Sequence, residues 1–542
     1  MLSAGKDAFG HTTYERHQPE QTLLYQIVEA HYPALVDQLA QQGKSLPEHV
    51  HQEFEAFLKC GRLEHGFLRV RCDNCNFVRL VAFCCKKRGF CPSCGARRMA
   101  ETAALLVDEV FPDVPLRQWV ISFPFPLRYL FAAHPQAMGK VLGIVYRAIS
   151  TRLIHKAGFS LKNGATGAVT SIQRFGSALN LNIHFHILFL DGVYVYHDDR
   201  PPEFQRVKAP DKSELEKLVQ LISQRVSRCL ERQGLLEQDT ESAWLDLNPA
   251  EDTDAMPQIL GSSITYRIAV GSQQGRKAFM IRTIRPLDRP DPGLERVATA
   301  NGFSLHAGVS CEENQRGKRE RLCRYISRPA VAVPRLSLSS TGKVVYTLKT
   351  PYRDGTTQVA FEPVDFVARL AALVPKPRVN LTRYHGVLAP NHRWRGLVTP
   401  ARRGKGIKSI ANAEVRTPAE RHAAMTWAQR LKRVFNIDIE VCSRCGGSVR
   451  VIASIEDQET VDRILDHLRQ KEQETPARPL LVPPTSATWN VVTFRWEGFQ
   501  TNSNPLARKP GIPHGTSGCA RSFRIDRIGM AFPTPRTGFS VQ

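Results

Sequence analysis

Seven of the chain's thirteen cysteines fall between Cys60 and Cys94, most of them in close pairs. So dense a cluster leaves three options: the thiols are oxidised to one another, they ligate metal, or they pack as reduced core residues. The expected compartment separates the first two. The stretch from Met1 to Glu20 is polar, without the hydrophobic segment of a signal peptide, and no run of about 18 apolar residues suggests a membrane span. A cytoplasmic location is expected, with no membrane attachment, and metal ligation fits better than oxidation.

Cys72 and Cys75 are separated by two residues, as are Cys91 and Cys94, and fifteen residues lie between the pairs. Each pair can offer two thiolates from a tight knuckle, and two knuckles close the tetrahedral shell of a structural Zn2+. The spacing therefore predicts one zinc ion on Cys72, Cys75, Cys91 and Cys94. Cys60, His65, Cys84 and Cys85 could add a second site or replace one of the four, although core packing is the stronger reading for the cysteines among them. A further pair, Cys442 and Cys445, precedes Gly446-Gly447 and looks like a knuckle without an evident second half; His467 could contribute.

Lysine and arginine number 74 against 51 acidic residues, a formal net charge of +23, in a chain that is 42% hydrophobic. Enough apolar material exists to build cores, so the excess points to a folded protein with an anionic partner rather than to a disordered polycation. Nucleic acid comes first, an acidic membrane second. Lys86, Lys87, Arg88, Arg97 and Arg98 put positive charge beside the knuckles, where phosphates could be gripped.

At about 150 residues per domain, 542 residues should form three or four domains. Residues 21–42 read as a helical lead-in broken at Pro33. Helices are expected over 100–110, 138–154, 210–234, 318–328 and 367–374, and strands over 119–123, 167–175, 179–190, 264–270, 278–284 and 303–309. A hairpin is expected around Asp354-Gly355. This is an α+β pattern, helices around an antiparallel sheet. The boundaries expected are a helical lead-in and zinc-binding DNA-binding domain over 17–115, a catalytic domain over 116–335, its sheet and helix extension over 336–392, a basic linker over 393–420, a small module carrying the last cysteine pair over 421–474, and a poorly structured tail over 475–542, where prolines accumulate.

Two features carry chemistry. In the apolar run Leu179 to Leu190, His184 and His186 sit at i and i+2, so a strand aims both imidazoles at one face while Phe185 anchors the other. Two converging neutral imidazoles make half a site for a divalent cation. Far along the chain, Arg321-Leu322-Cys323-Arg324-Tyr325-Ile326-Ser327-Arg328-Pro329 puts Arg321, Tyr325 and Arg328 on one helical face. A phenol among guanidinium groups suits attack on a DNA phosphate: the arginines hold the diester and a metal polarises its oxygens. The bland alternatives are hydrogen-bonded core histidines and a tyrosine that merely packs.

Taken together, the His-Phe-His strand ending in Asp191-Gly192-Val193, the Arg324-to-Pro329 segment and the block from Cys60 to Arg98 resemble the IS91-like rolling-circle transposases. Within them, the chain is most similar to the insertion-sequence common-region branch. The resemblance runs from about His17 to His467. It implies an α+β multidomain chain, in which an N-terminal zinc-binding domain is followed by an HUH endonuclease domain with a central antiparallel sheet of ferredoxin-like or RRM-like type. It also implies a 5′-phosphotyrosine intermediate. By this resemblance His184 and His186 hold Mg2+ or Mn2+, and Tyr325 is the nucleophile, with Arg321 and Arg328 beside it. A third ligand is expected at His306, with Glu320 and Gln173 as rivals. Many relatives have a second tyrosine four residues upstream, where this chain has Arg321, so the second strand transfer would reuse Tyr325, another subunit of a homo-oligomer or a water. Tyr384 is a lesser rival for the nucleophile. No Walker phosphate loop is evident, so unwinding would fall to a host helicase. The rival functions are a plasmid replication initiator or relaxase of the same chemistry, and a zinc-dependent DNA-binding regulator without catalysis.

Overall fold

The computed structural model describes residues 18–197, 200–238, 253–286, 297–402, 442 and 444–474, together with short strands at 4–6, 12–14 and 243–244. The expected basic linker beyond Arg402 and the expected tail after Glu474 lie outside the described residues.

The N-terminal region runs α1 (Leu23–Gln41), α2 (Glu48–Lys59), the hairpin strands β1 (Phe67–Cys72) and β2 (Val78–Ala82), and α3 (Pro92–Leu105). The expected break at Pro33 is absent: α1 passes through it. Thr22 caps the helix by accepting from the Tyr25 N–H, and Leu24, Ile27, Val28, Leu35 and Leu39 bury one stripe on both sides of the proline. Continuous burial outweighs the one backbone bond the ring removes.

The central region follows with β3 (Leu116–Ser122), α4 (Phe125–Ala133), α5 (Pro135–Lys156), β4 (Gly167–Phe175), β5 (Leu181–Leu190), α6 (Lys212–Glu231) and α7 (Met256–Ile264). Beyond these come β6 (Phe279–Arg282), β7 (Val297–Ala300), β8 (Phe303–Cys311) and α8 (Arg316–Ile326). The strand expected over 264–270 is corrected: α7 ends at Ile264, and a looped segment follows. Its backbone is satisfied from a neighbouring helix, Asp365 accepting from the Ala269 N–H and Arg369 donating to the Arg267 carbonyl. The spacing of Met256, Ile259, Leu260 and Ile264 is helical, and that stripe is what is buried.

The chain continues through β9 (Leu336–Leu338), β10 (Val344–Thr347), β11 (Thr356–Phe361), α9 (Pro363–Leu373), β12 (Thr382–Gly386), β13 (Val449–Ile455) and α10 (Gln458–Glu474). Antiparallel pairing gives a six-stranded sheet in the order β7-β8-β3-β5-β4-β12, a four-stranded sheet β6-β11-β10-β9 and a three-stranded sheet β13-β1-β2. The last of these joins residues 449–455, expected in a separate module, to the N-terminal hairpin.

Both faces of the six-stranded sheet are covered. Trp119, Ile121, Ile172, Phe185, Ile187 and Phe189 join one core with side chains of α4 to α7 and α9. Leu116, Val169, Leu188, Leu190 and Cys311 join another with α3 and α8. Every residue of β5 is buried as a result. Among the described residues, no helix is long and apolar enough to cross a membrane.

Candidate metal and tyrosine site

Register fixes which residues meet. Gln173 and Ser122 lie opposite His184, while Ser171 and Val120 lie opposite His186. Cross-strand partners share a face, so these side chains, polar apart from Val120, form one patch in the α3–α8 layer. The Nε2 atoms of His184 and His186 are 3.0 Å apart. Two cis ligands of an octahedral ion at about 2.1 Å would stand about 3.0 Å apart, so the pair fits two adjacent positions of a magnesium or manganese shell. Burial holds the His184 imidazole down at about 4, only partly offset by its bond to Asn182, with Arg328 and Arg128 pushing it lower still. Burial, then His184, also pushes His186 well below its ordinary value. Both rings are therefore neutral near pH 7, the form that ligates metal.

Tautomers follow from the ring partners. His184 Nδ1–H donates to the Asn182 carbonyl at 2.9 Å, leaving its Nε2 lone pair free. Gln118 Nε2 lies 2.8 Å from His186 Nδ1. With the amide donating there, His186 Nε2–H points at His184 Nε2 and the hydrogen-bond chain is complete. Ligation by both Nε2 atoms instead needs a proton on His186 Nδ1, which turning the Gln118 amide would accept.

The tyrosine helix docks on this patch. Ser171 Oγ donates to the Ile326 carbonyl at 2.7 Å, and Gln173 Nε2 donates to the same oxygen at 2.9 Å and to the Tyr325 carbonyl at 3.3 Å. The Tyr325 ring stands perpendicular to that of His186, with centroids 5.5 Å apart. The Arg328 guanidinium lies 4.3 Å from the centre of the Tyr325 ring. Arg321 is exposed, one turn earlier on α8. The second guanidinium acting on His184 is that of Arg128, buried and bonded to the Phe123 carbonyl. It was not anticipated from sequence.

His306 shares the face of His186 two strands away, opposite Val120, and its charge acts on His186. It does not converge with the pair: among the described residues, only cysteines bring three or more His, Cys, Asp or Glu ligand atoms within 4.8 Å of one another. Glu320 accepts instead from Arg324 at 3.0 Å. Gln173, directly opposite His184, is buried, and its Oε1 has no hydrogen-bond partner. On the other face of the sheet, across from Phe189, Arg117 donates twice to Asp191 at 2.9 and 2.7 Å and once to the Ala307 carbonyl in the bulge after His306. The Asp191-Gly192 pair, read from sequence as a turn, thus also supplies a buried carboxylate. Tyr384 packs elsewhere, opposite Val169, and burial raises its phenol above the ordinary range.

The cysteines form two sets, not the one expected. Cys60, Cys85, Cys91 and Cys94 make one, and Cys72, Cys75, Cys442 and Cys445 the other. Cys72 and Cys75 therefore do not share an ion with Cys91 and Cys94. The hairpin explains why. Cys72 and Cys75 sit at the tip of β1–β2, whereas Cys60 and Cys85 flank its base, and five or six strand residues span about 17–20 Å. In the basal set, sulfur separations are 3.7 Å for Cys60–Cys94, 3.4 Å for Cys85–Cys94 and 3.8 Å for Cys60–Cys91. Zinc–sulfur bonds of about 2.3 Å require tetrahedral edges of about 3.8 Å, so these thiols fit a structural zinc ion. His65 is exposed and outside both sets, as is His467 on α10. Of the neighbouring basic residues, Arg97 pairs with Glu101, Arg98 donates to the Lys86 and Lys87 carbonyls, and Arg88 to that of Val379. These three guanidinium groups are thus tied into the fold.

Two family models match this architecture. One described as "Putative transposase" covers residues 167–395, from β4 through the tyrosine helix to Arg395. The other, the transposase zinc-binding domain of the IS91 type, covers residues 27–123. No curated protein and no solved structure matches the chain.

Proposed function

The chain belongs to the IS91-like transposases, and we propose that it cuts and rejoins single-stranded DNA at element ends through a phosphotyrosine on Tyr325, by the HUH-type chemistry of rolling-circle transposition. The observation that carries this reading is the perpendicular approach of the Tyr325 ring to His186, whose Nε2 lies 3.0 Å from that of His184. Magnesium or manganese held by these two nitrogens would polarise the oxygens of the scissile phosphate. Gln173 supplies a further oxygen on the same face and is preferred to His306 as a third ligand.

The Tyr325 hydroxyl attacks phosphorus, one P–O bond forms to the phenol oxygen, and the bond to the 3′-oxygen breaks. The phenol proton passes through water to the leaving 3′-oxygen, and the 5′ end stays on the protein. One ester replaces another, so joining needs no nucleotide triphosphate. Arg328 stacks on the attacking ring, and a bound diester would compensate the charges of Arg328 and Arg128, both of which act on His184. The zinc module and basic surface would grip the element end, with a host helicase unwinding the donor and a second subunit available for the second transfer.

The test incubates purified protein and magnesium or manganese with a single-stranded oligonucleotide from the element end, followed by denaturing electrophoresis and peptide mapping. Wild type and Tyr384→Phe should give a covalent adduct on Tyr325, and Tyr325→Phe none. Specific binding without any adduct in wild type would instead make the protein a DNA-binding regulator.

A further inference from the structure

The second cysteine set lies partly outside both matched regions, since Cys442 and Cys445 follow residue 395. Their sulfurs meet those of the hairpin tip, with Cys72 and Cys445 3.5 Å apart and Cys75 and Cys442 3.6 Å apart. These separations are close to the tetrahedral edge of about 3.8 Å that zinc requires. None of the four is in a disulfide.

The backbone around the two pairs matches as well. In the hairpin, the Cys72 N–H donates to the Phe77 carbonyl at 2.9 Å and the Asn76 N–H to the Cys72 carbonyl at 3.1 Å. In the later pair, the Cys442 N–H donates to the Gly447 carbonyl at 2.8 Å and the Gly446 N–H to the Cys442 carbonyl at 2.9 Å. Both turns carry a left-handed residue at the same place, Asn76 at φ 56° and Gly446 at φ 72°. Each is a knuckle that turns two thiols to one point, and the two face each other.

Contacts around the sulfurs are reciprocal. The Asp73 N–H donates to the Ser448 carbonyl at 2.9 Å, Arg450 pairs with Asp73 at 2.8 Å, and the Arg444 guanidinium lies 4.2 Å from the centre of the Phe77 ring. Gly447 approaches Asn74 so closely that a Cβ would fall 2.7 Å from its side chain. Beyond the knuckle, β13 adds to the edge of β1, and α10 buries Val461 and Leu465 against Phe67. That core of three buried residues, with four partly buried ones packed against it, is too small to hold a strand and a helix without a staple.

We propose that Cys72, Cys75, Cys442 and Cys445 bind a second structural zinc ion, which clasps the segment 442–474 to the N-terminal hairpin. Four thiol protons leave as the ion binds. The clasp joins chain positions about 370 residues apart and aligns Arg450 beside Arg71, directly across the β13–β1 pair. It does not depend on the strand-transfer chemistry of Tyr325.

The full chain, purified without chelator, should carry two zinc ions by elemental analysis, and Cys442→Ser/Cys445→Ser one. Cobalt-substituted protein gives an independent count: its thiolate-to-cobalt absorption per chain should halve in the double variant. To test the clasp, a site-specific protease sequence is inserted within residues 403–441. After cleavage the C-terminal fragment should co-elute with the rest of the chain, and should separate when the insertion is combined with the double variant. One zinc in wild type, two in the double variant, or release of the fragment from otherwise unmutated cleaved protein would each overturn the proposal.

Discussion

Gln173 offers the sharpest test of how the tyrosine helix is held to the histidine face. Its side chain is 3% exposed, and its amide nitrogen donates to the carbonyls of Ile326 and Tyr325. Gln173→Leu removes both bonds but orphans neither acceptor, because Ser171 still donates to Ile326 and Arg328 to Tyr325. The cost is therefore two net hydrogen bonds, about 1–2 kcal/mol of stability. Against a total of about 5–15 kcal/mol, that leaves well over nine-tenths of the protein folded. It cannot by itself account for even a twofold loss of rate.

The chemistry should suffer more. A nucleophile displaced by about 1 Å costs on the order of 100-fold, and loss of an oxygen ligand would weaken metal affinity by at least the roughly 10–100-fold that losing an outer-shell partner costs. Single-turnover adduct formation measured against manganese concentration separates the two. Gln173→Leu should lower the maximal rate and raise the half-saturating manganese concentration. Gln173→Glu keeps the oxygen but loses the N–H, so it should retain manganese affinity while its maximal rate falls. A Gln173→Leu protein that matches wild type at every manganese concentration would refute both the tether and the ligand role.

Gly95 lies beside Cys94, and a Cβ there would meet the Pro329 Cβ at 2.7 Å, so Gly95→Val should push the basal zinc knuckle against the segment after Tyr325. We expect a stability loss of about 1–3 kcal/mol and slower adduct formation with zinc content unchanged; Gly139→Ala, in open space on α5, is the control that should do neither. Burial, with Arg383 second, holds the His385 imidazole at about 4, below its ordinary 6.5. The unfolded chain then takes up the proton first, so the contribution is full above pH 6.5 and is lost as pH falls toward 4, at up to about 1.4 kcal/mol per pH unit. Denaturant midpoints from pH 7 to 4.5 should fall less steeply in His385→Gln than in wild type, and parallel curves would refute the assignment.

What the sequence disclosed and what it concealed divide along contact range. The period-two spacing of His184 and His186, the Cys-x-x-Cys pairs and the arginine-flanked tyrosine are local patterns, and local geometry suffices to read them. The partner of each knuckle is not local. Cys91 and Cys94 are the nearest Cys-x-x-Cys pair to Cys72 and Cys75 in sequence, yet the hairpin carries the first pair to its tip and returns Cys85 to its base beside Cys60. Cys442 and Cys445 lacked a visible second half because that half lies across a strand pairing between β13 and β1. Pro33 and α7 were misread for a related reason: tertiary burial overrode a local breaker in one case, and a helical stripe was hidden among proline and glycine in the other. Arg128 and Gln118 needed the sheet register before they could be connected with the histidines.

One link between sequence and chemistry was nonetheless present in β5 itself. A strand with one wet face alternates apolar and polar residues, whereas Leu181 to Leu190 is apolar apart from Asn182, His184 and His186. Such a run demands cover on both faces, and cover on the histidine face comes from α3 and α8. That cover desolvates the imidazoles and holds them neutral, and the same α8 carries Tyr325. The helix that dries the histidine pair and the helix that delivers the phenol are therefore one element, so a change that loosens α8 should raise the histidine values and slow adduct formation together.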